Sequence, residues 1–276
     1  MVALSTGSLH SYGIARVFGL AARAGFDGIE VLVDHRWDTR QSEYLRELSA
    51  GFDLPIVALH NPFSHHVPDW PDDELGRLRS TVSLARAVGA PVVVAHLPLR
   101  LAVLRGYLHV QRVRQFQLLL PSRRRGLYHA FITHGLGSLE QETGIMVAME
   151  NMPAERVLGL SINPRWFNSP AELKRFPHVT LDTTHLATWG LDPLAVYVEL
   201  KEQVSHVHLS NYDGREHRLP PNGFLPLADL LQALARDGYS GAITVECDPD
   251  ALDAEDEGRC VAALRNALSF CRTYYD

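Results

Sequence analysis

Eight short runs of apolar and β-branched residues recur along the chain, separated by stretches of a different period. They are VALS near residue 2, GIEVLV at 28, PIVALH at 55, PVVVAH at 91, IMVAME at 145, HVTLD at 178, VSHVHL at 204 and AITVE at 242. Between them, GIARVFGLAARAG, DDELGRLRSTVSLARAVG and LADLLQALARDG return apolar residues every three or four positions and stop at glycine, which marks amphipathic helices. The order is strand, helix, strand, helix. Strands that are apolar at nearly every position belong to a parallel sheet covered by helices, and eight such units close most simply into a single (β/α)8 TIM barrel. An open doubly wound sheet is the alternative. Its dinucleotide-binding version has no local support, because no G-x-G-x-x-G follows the first strand.

A length of 276 residues suits one barrel, which commonly runs to about 250. No linker rich in Pro, Gly or Ser divides the chain, so residues 1–276 are expected to form one domain. The formal charge of −6, with Lys174 and Lys201 the only lysines, argues against a protein built mainly to grip nucleic acid. No apolar run approaches a membrane span of about 18 to 20 residues, and MVALSTGSLHSYG lacks a basic leader segment, so a cytoplasmic protein with no membrane partner is expected. Cys247, Cys260 and Cys271 form no C-x-x-C pair and read as small buried residues.

One connection is abnormally long. Between the fourth and fifth runs no acid occurs from Leu99 to Leu139, while Arg100, Arg105, Arg112, Arg114, Arg123, Arg124 and Arg125 do. This extended Arg-rich excursion reads as a solvated helical segment with a basic face. Two functional readings stand beside it: a lid that contributes a phosphate-binding arginine, and a surface that meets an acidic partner subunit, as in a homo-oligomer.

Candidate chemistry sits at the ends of the runs. His60 ends the third, His96 the fourth, Glu150 the fifth and Asp182 the sixth, with His185 three residues on. His208 ends the seventh, His217 follows in its loop, and Glu246 ends the eighth. Taken singly, Asp182 could cap the next helix, His60 or His96 could be a satisfied core histidine, Glu150 or Glu246 could pair with an arginine, and His217 could be a plain loop residue. Taken together they change the picture. In a barrel these ends share one face, and imidazoles and carboxylates converging there are the ligand types that hold Zn, Mn, Fe or Co.

The motifs ALHNPF, VVAHLP, AMENMP, TLDTTHLATWG, HVHLSNYDGREHRLPPNG and GAITVECDPD resemble those of the xylose isomerase-like TIM barrels, the superfamily of sugar-phosphate isomerases and epimerases and of endonuclease IV. The similarity runs from GFDGIEVL to the last strand and omits only the Arg-rich excursion. The resemblance implies that Glu150, Asp182, His208 and Glu246 hold one divalent metal (Zn, Mn or Co), with Glu150 and Glu246 as catalytic acid and base on opposite faces of the substrate. His185 and Arg215 would contact substrate oxygens. The activity implied is a sugar or sugar-phosphate isomerase or epimerase acting by proton transfer beside a carbonyl.

Three other readings share these residues. An endonuclease IV-like zinc phosphodiesterase acting on abasic DNA would use His60, His96, His185 and His217 as additional ligands. Here Arg215 replaces the carboxylate expected two residues before His217, leaving a third metal short of a ligand unless Asp213 or Glu216 substitutes. A dehydratase or lyase acting on an inosose- or keto-acid-like substrate would keep the quartet, while a non-catalytic sugar-binding barrel is disfavoured because both acid/base glutamates are intact. All four tryptophans, Trp37, Trp70, Trp166 and Trp189, fall in loops that leave strand C-termini. They could stack on a sugar face, Trp189 first among them, or anchor loops to the barrel rim.

Overall fold

The computed structural model describes residues 1–64, 66–110, 112–121 and 126–275, without the side chains of 103–119 and 121. In chain order the elements are β1 (Val2–Ser5), α1 (Ile14–Ala24), β2 (Gly28–Leu32), α2 (Ser42–Phe52), β3 (Ile56–His60), α3 (Glu74–Val88) and β4 (Val92–His96). Then come β5 (Leu101–Val110), β6 (Arg112–Pro121), α4 (Leu127–His134), α5 (Leu136–Thr143), β7 (Met146–Glu150), β8 (Glu155–Val157), β9 (Leu160–Ile162) and α6 (Pro170–Leu173). The last part holds β10 (Val179–Asp182), α7 (Thr183–Thr188), α8 (Pro193–Leu200), β11 (Val204–Leu209), α9 (Leu227–Arg236), β12 (Ala242–Val245) and α10 (Glu257–Tyr275).

Eight of these strands close into a parallel barrel in the order β1, β2, β3, β4, β7, β10, β11, β12, each lying in one of the eight apolar runs. The helices pack outside through the stripes their periodicity sets. On α1, Ile14, Val17, Phe18 and Ala21 are buried, and the helix stops at Gly25, whose φ of 96° suits a residue without a Cβ. The three cysteines are buried, as their setting in apolar stretches implies. No helix among the described residues is long and apolar enough to cross a membrane.

The register of the barrel prepares the site. His96 on β4 lies beside Glu150 on β7, and Asp182 on β10 lies beside His208 on β11. Side chains at matching heights on adjacent strands are thereby brought to one end of the barrel.

Among the described residues, two hairpins interrupt the strand-helix alternation. The excursion after β4 begins as an antiparallel pair of β5 with β6, not as the helix expected there, and helix resumes only at α4. Arg123, Arg124 and Arg125 lie outside the described residues, as do the side chains of Arg105, Arg112 and Arg114, so the lid and partner-surface readings fall outside what is described. The second hairpin, β8 with β9, turns through Leu158 and Gly159 at φ of 51° and 82°. Two successive positive φ values are what a two-residue hairpin turn requires.

Candidate functional site

At the C-terminal mouth of the barrel His208 is fully buried and meets acids through both ring nitrogens. Its Nδ1 lies 3.0 Å from Glu150 Oε1, 3.1 Å from Glu246 Oε2 and 3.8 Å from Asp182 Oδ2. The ligand atoms of Glu150, Asp182, His208 and Glu246 all fall within 4.8 Å of one another. Each is aimed by a separate local device. Asp182 caps α7, its Oδ1 accepting from the His185 amide at 2.8 Å, which leaves Oδ2 buried without a hydrogen bond. The capping and cluster roles of Asp182 therefore coexist, one oxygen for each. Ser5 Oγ donates to Glu246 Oε1 at 3.2 Å.

A second convergence adjoins the first. His60 Nε2 and His96 Nε2 stand 3.6 and 3.5 Å from Glu150 Oε2, and all three atoms are buried without a hydrogen-bond partner. His60 Nδ1 donates to its neighbour's carbonyl, Asn61 O, at 3.0 Å, which turns the Nε2 lone pair towards Glu150. Buried polar atoms are seldom left unsatisfied. His60, Glu150 and His208 bring ligand atoms within 4.8 Å of one another with His96 beside them, so imidazole and carboxylate here fit a divalent ion.

The protonation pattern agrees. Burial alone would lower the His208 pKa, but Glu30, Glu246 and Glu150 outweigh it and hold His208 well above the usual imidazole range. Burial would raise Glu150 and Glu246. Hydrogen bonding and charge from His208 and neighbouring imidazoles instead hold Glu150 well below the carboxylate range and Glu246 at about 2. Burial, reinforced by His60, keeps His96 well below its ordinary value and therefore neutral. The His208 imidazolium is thus favoured by the ionised acids around it.

The remaining sequence candidates are placed differently. His185 donates from Nδ1 to Asn151 O at 2.8 Å, which leaves its Nε2 facing His217 and Glu216, 3.9 Å from Glu216 Oε2. Asp182, His185 and His217 form a third tight group. Of the two acids that could complete it, Glu216 is the one at the site, and burial raises its pKa. Arg215 is not brought to the cluster: it lies exposed on the rim against Asp250 at 3.3 Å and Asp213 at 3.6 Å. Trp189 spends its indole N–H on Met152 O at 3.0 Å, and none of the tryptophans lines the cavity above the acids, which favours rim anchoring over stacking.

Sequence reasoning missed three residues. Glu30, in the middle of β2, is fully buried and accepts from His206 Nε2 at 2.6 Å and from His208 Nε2 at 3.1 Å. Asn151 clasps β10, its Oδ1 accepting from the Asp182 amide and its Nδ2 donating to Asp182 O. Phe63 stacks on His60 and His96 at the mouth. Above the acids opens a cavity of about 260 Å³, bounded by Phe63, His10, His185, His217 and Glu246.

A family match described as xylose isomerase-like TIM barrel covers residues 18–266. The chain belongs to this family. Among proteins of known sequence, an uncharacterized protein of Mycobacterium tuberculosis is 27% identical, over 99% of this chain and 97% of that protein. Among solved structures, the D-allulose 3-epimerase of a Methylomonas species in complex with D-allulose superposes with a TM-score of 0.66 at 17% identity, over 99% of this chain and 96% of that one. An AP endonuclease, family 2, from Brucella melitensis superposes at 0.64 with 16% identity, over 100% and 99%. At such identities the superpositions establish the shared xylose isomerase-like fold, and the chemistry has to be argued from the side chains.

Proposed function

We propose that this xylose isomerase-like barrel, one domain over residues 1–276, is a divalent-metal-dependent sugar or sugar-phosphate isomerase or epimerase. The observation that carries the reading is the convergence of Glu150, Asp182, His208 and Glu246, with the Asp182 oxygen left over from capping. These four would hold the ion. When bound, a divalent cation polarises a carbonyl oxygen and so acidifies the neighbouring C–H.

The chain's own residues supply the rest. Glu150 and Glu246 come from barrel strands separated by β10 and β11, so they reach the cavity from different sides. One takes the proton from the carbon beside the carbonyl, and the other returns a proton to the opposite face. Low pKa values keep the accepting glutamate a carboxylate, and the donating one carries a proton taken up from solvent before the substrate binds. Once that proton is loaded, the buried walls and the Phe63 ring shield the reacting carbon from bulk water. His185 lines the cavity and would contact a substrate hydroxyl, whereas Arg215 would have to leave Asp250 to do so.

A zinc phosphodiesterase reading has its own support in the orphaned His60, His96 and Glu150 atoms, which make room for a second ion, and in the nearby Glu216. One experiment separates the two. Metal-loaded protein is offered ketoses, ketose phosphates, inosose and abasic DNA in deuterated water. The epimerase reading expects deuterium at the carbon beside the carbonyl. It also expects a loss of about 10²- to 10⁴-fold on Glu150→Gln or Glu246→Gln, with metal content falling far less. Efficient, salt-sensitive cleavage of abasic DNA with no exchange on any ketose would replace it with the nuclease reading.

A further inference from the structure

Behind Phe63 lies a second, smaller cavity of about 130 Å³. Phe63 lines both cavities, and its ring centroid is 4.8 Å from that of His60 and 4.2 Å from that of His96, so it is their shared wall. His96 faces the smaller space, which places anything bound there one side chain from the proposed ligands. The two cavities have opposite electrostatic character. The larger is walled by Glu150, Glu246 and Asp248, the smaller by Arg77, Arg165 and the Asn61 amide, with Glu74 its one acid.

These donors are fixed in place. Arg165 Nη1 donates to Leu97 O at 2.7 Å, the Arg165 amide donates to Asn163 Oδ1 at 3.0 Å, and a backbone bridge ties Arg165 to Leu99. The other guanidinium N–H groups of Arg165 make no hydrogen bond to a described residue, and no described carboxylate lies within ion-pair distance of it. Burial pushes its pKa down, a cost that Glu74 offsets only in part from a distance. Arg77 is 3% exposed and reaches Asp72 O at 2.6 Å. Asn61 Oδ1 accepts from Thr81 Oγ1 at 2.8 Å, which orients the amide NH2. Tyr128 spends its hydroxyl on His96 O.

Two guanidiniums against one carboxylate leave the cavity net positive, and its volume admits several waters and hence a small oxyanion. A guanidinium with an unused planar edge is the donor that matches carboxylate or phosphate oxygens in a fork. We infer that this cavity is a subsite for an anionic substituent, phosphate or carboxylate, on a polyol substrate whose other end reaches the two glutamates past Phe63. The assignment of the reacting end rests on the epimerase reading; the charge of the bound end does not. The substrate class therefore narrows to sugar phosphates or sugar acids.

Titration calorimetry of the metal-loaded protein with glycerol 3-phosphate, glycerate and glycerol tests this without turnover. One of the two anions should bind at least about 10- to 100-fold more tightly than glycerol, the range for a charge-assisted contact, and which one it is identifies the substituent. Arg165→Gln should erase the preference, and Arg165→Lys should keep part of it. Leu99→Trp, which fills the cavity from its rim, should erase it too, and decides the matter if Arg165→Gln does not fold. Anions that bind no better than glycerol overturn the subsite, as does a preference that survives both variants, since the anion would then sit elsewhere. A protein that epimerises no ketose yet loses glycerol 3-phosphate on Arg165→Gln keeps the subsite and sinks the epimerase.

Discussion

At the scale of the residue, His208 is decisive because both of its nitrogens are committed. Nε2 donates to Glu30, which leaves Nδ1 to face Glu150 and Glu246. A ligating histidine is commonly held by such a carboxylate on its far nitrogen, which fixes tautomer and ring plane. Glu30→Gln keeps the shape but removes the charge and allows either amide group to face the ring. Metal affinity, measured by competition with a chelator, should fall about 10- to 100-fold while the fold persists. Unchanged affinity would reduce Glu30 to a counter-charge for His206. Glu30 was illegible in the sequence for a physical reason: it lies mid-strand in GIEVL, and one acid inside an apolar run does not reveal that the barrel closes it against β11. Asp182 and Glu150 were legible because a core strand gains nothing in packing by ending in an acid. Arg215 misled, since motif position places its backbone while Asp213 and Asp250 on the rim decide where its charge goes.

At the scale of the element, the barrel strands were readable because a strand buried on both faces must be apolar throughout. Hairpins are set by turn conformation and by pairing with non-barrel partners, so period alone hides them: β8 and β9 are only three residues each. The loop after β11 shows the same dependence on local chemistry. Asn211 pins it, with Oδ1 accepting from Tyr212 and Leu225 amides at 2.8 and 3.0 Å and Nδ2 donating to Pro220 O at 2.7 Å. A Cβ on Gly223 would collide with Asn211 Oδ1 and the Tyr212 carbonyl, both held by this network. Gly223→Ala should therefore cost about 1–3 kcal/mol, the range for overpacking, in a denaturant titration. It should also loosen the loop that carries His217, seen as faster amide exchange there. Stability equal to wild type would show that the loop yields without cost.

At the scale of the whole molecule, the fold concentrates its chemistry at one end of the barrel and leaves that end electrostatically incomplete. Glu30, Glu150, Asp182 and Glu246 surround a single His208, and the orphaned His60, His96 and Glu150 atoms add a second convergence beside it. An ion that binds only the folded chain stabilises it by mass action, about 2.7 kcal/mol at 100 times the dissociation constant. For a chain somewhat longer than 150–250 residues, at roughly 2–4 °C per kcal/mol, stripping the metal should lower the melting temperature by about 5–10 °C, and restoring zinc or manganese should recover it. Stoichiometry then tells one ion from two. Because Glu150 presents Oε1 to the quartet and Oε2 to His60 and His96, one carboxylate can bridge both positions. Elemental analysis after expression with zinc should exceed one equivalent per chain, and His60→Ala should bring it down towards one while most of the thermal shift remains. A firm single equivalent, indifferent to that substitution, would return His60 and His96 to contacting substrate, and their unpaired nitrogens would then mark where a hydroxyl, not an ion, completes the site.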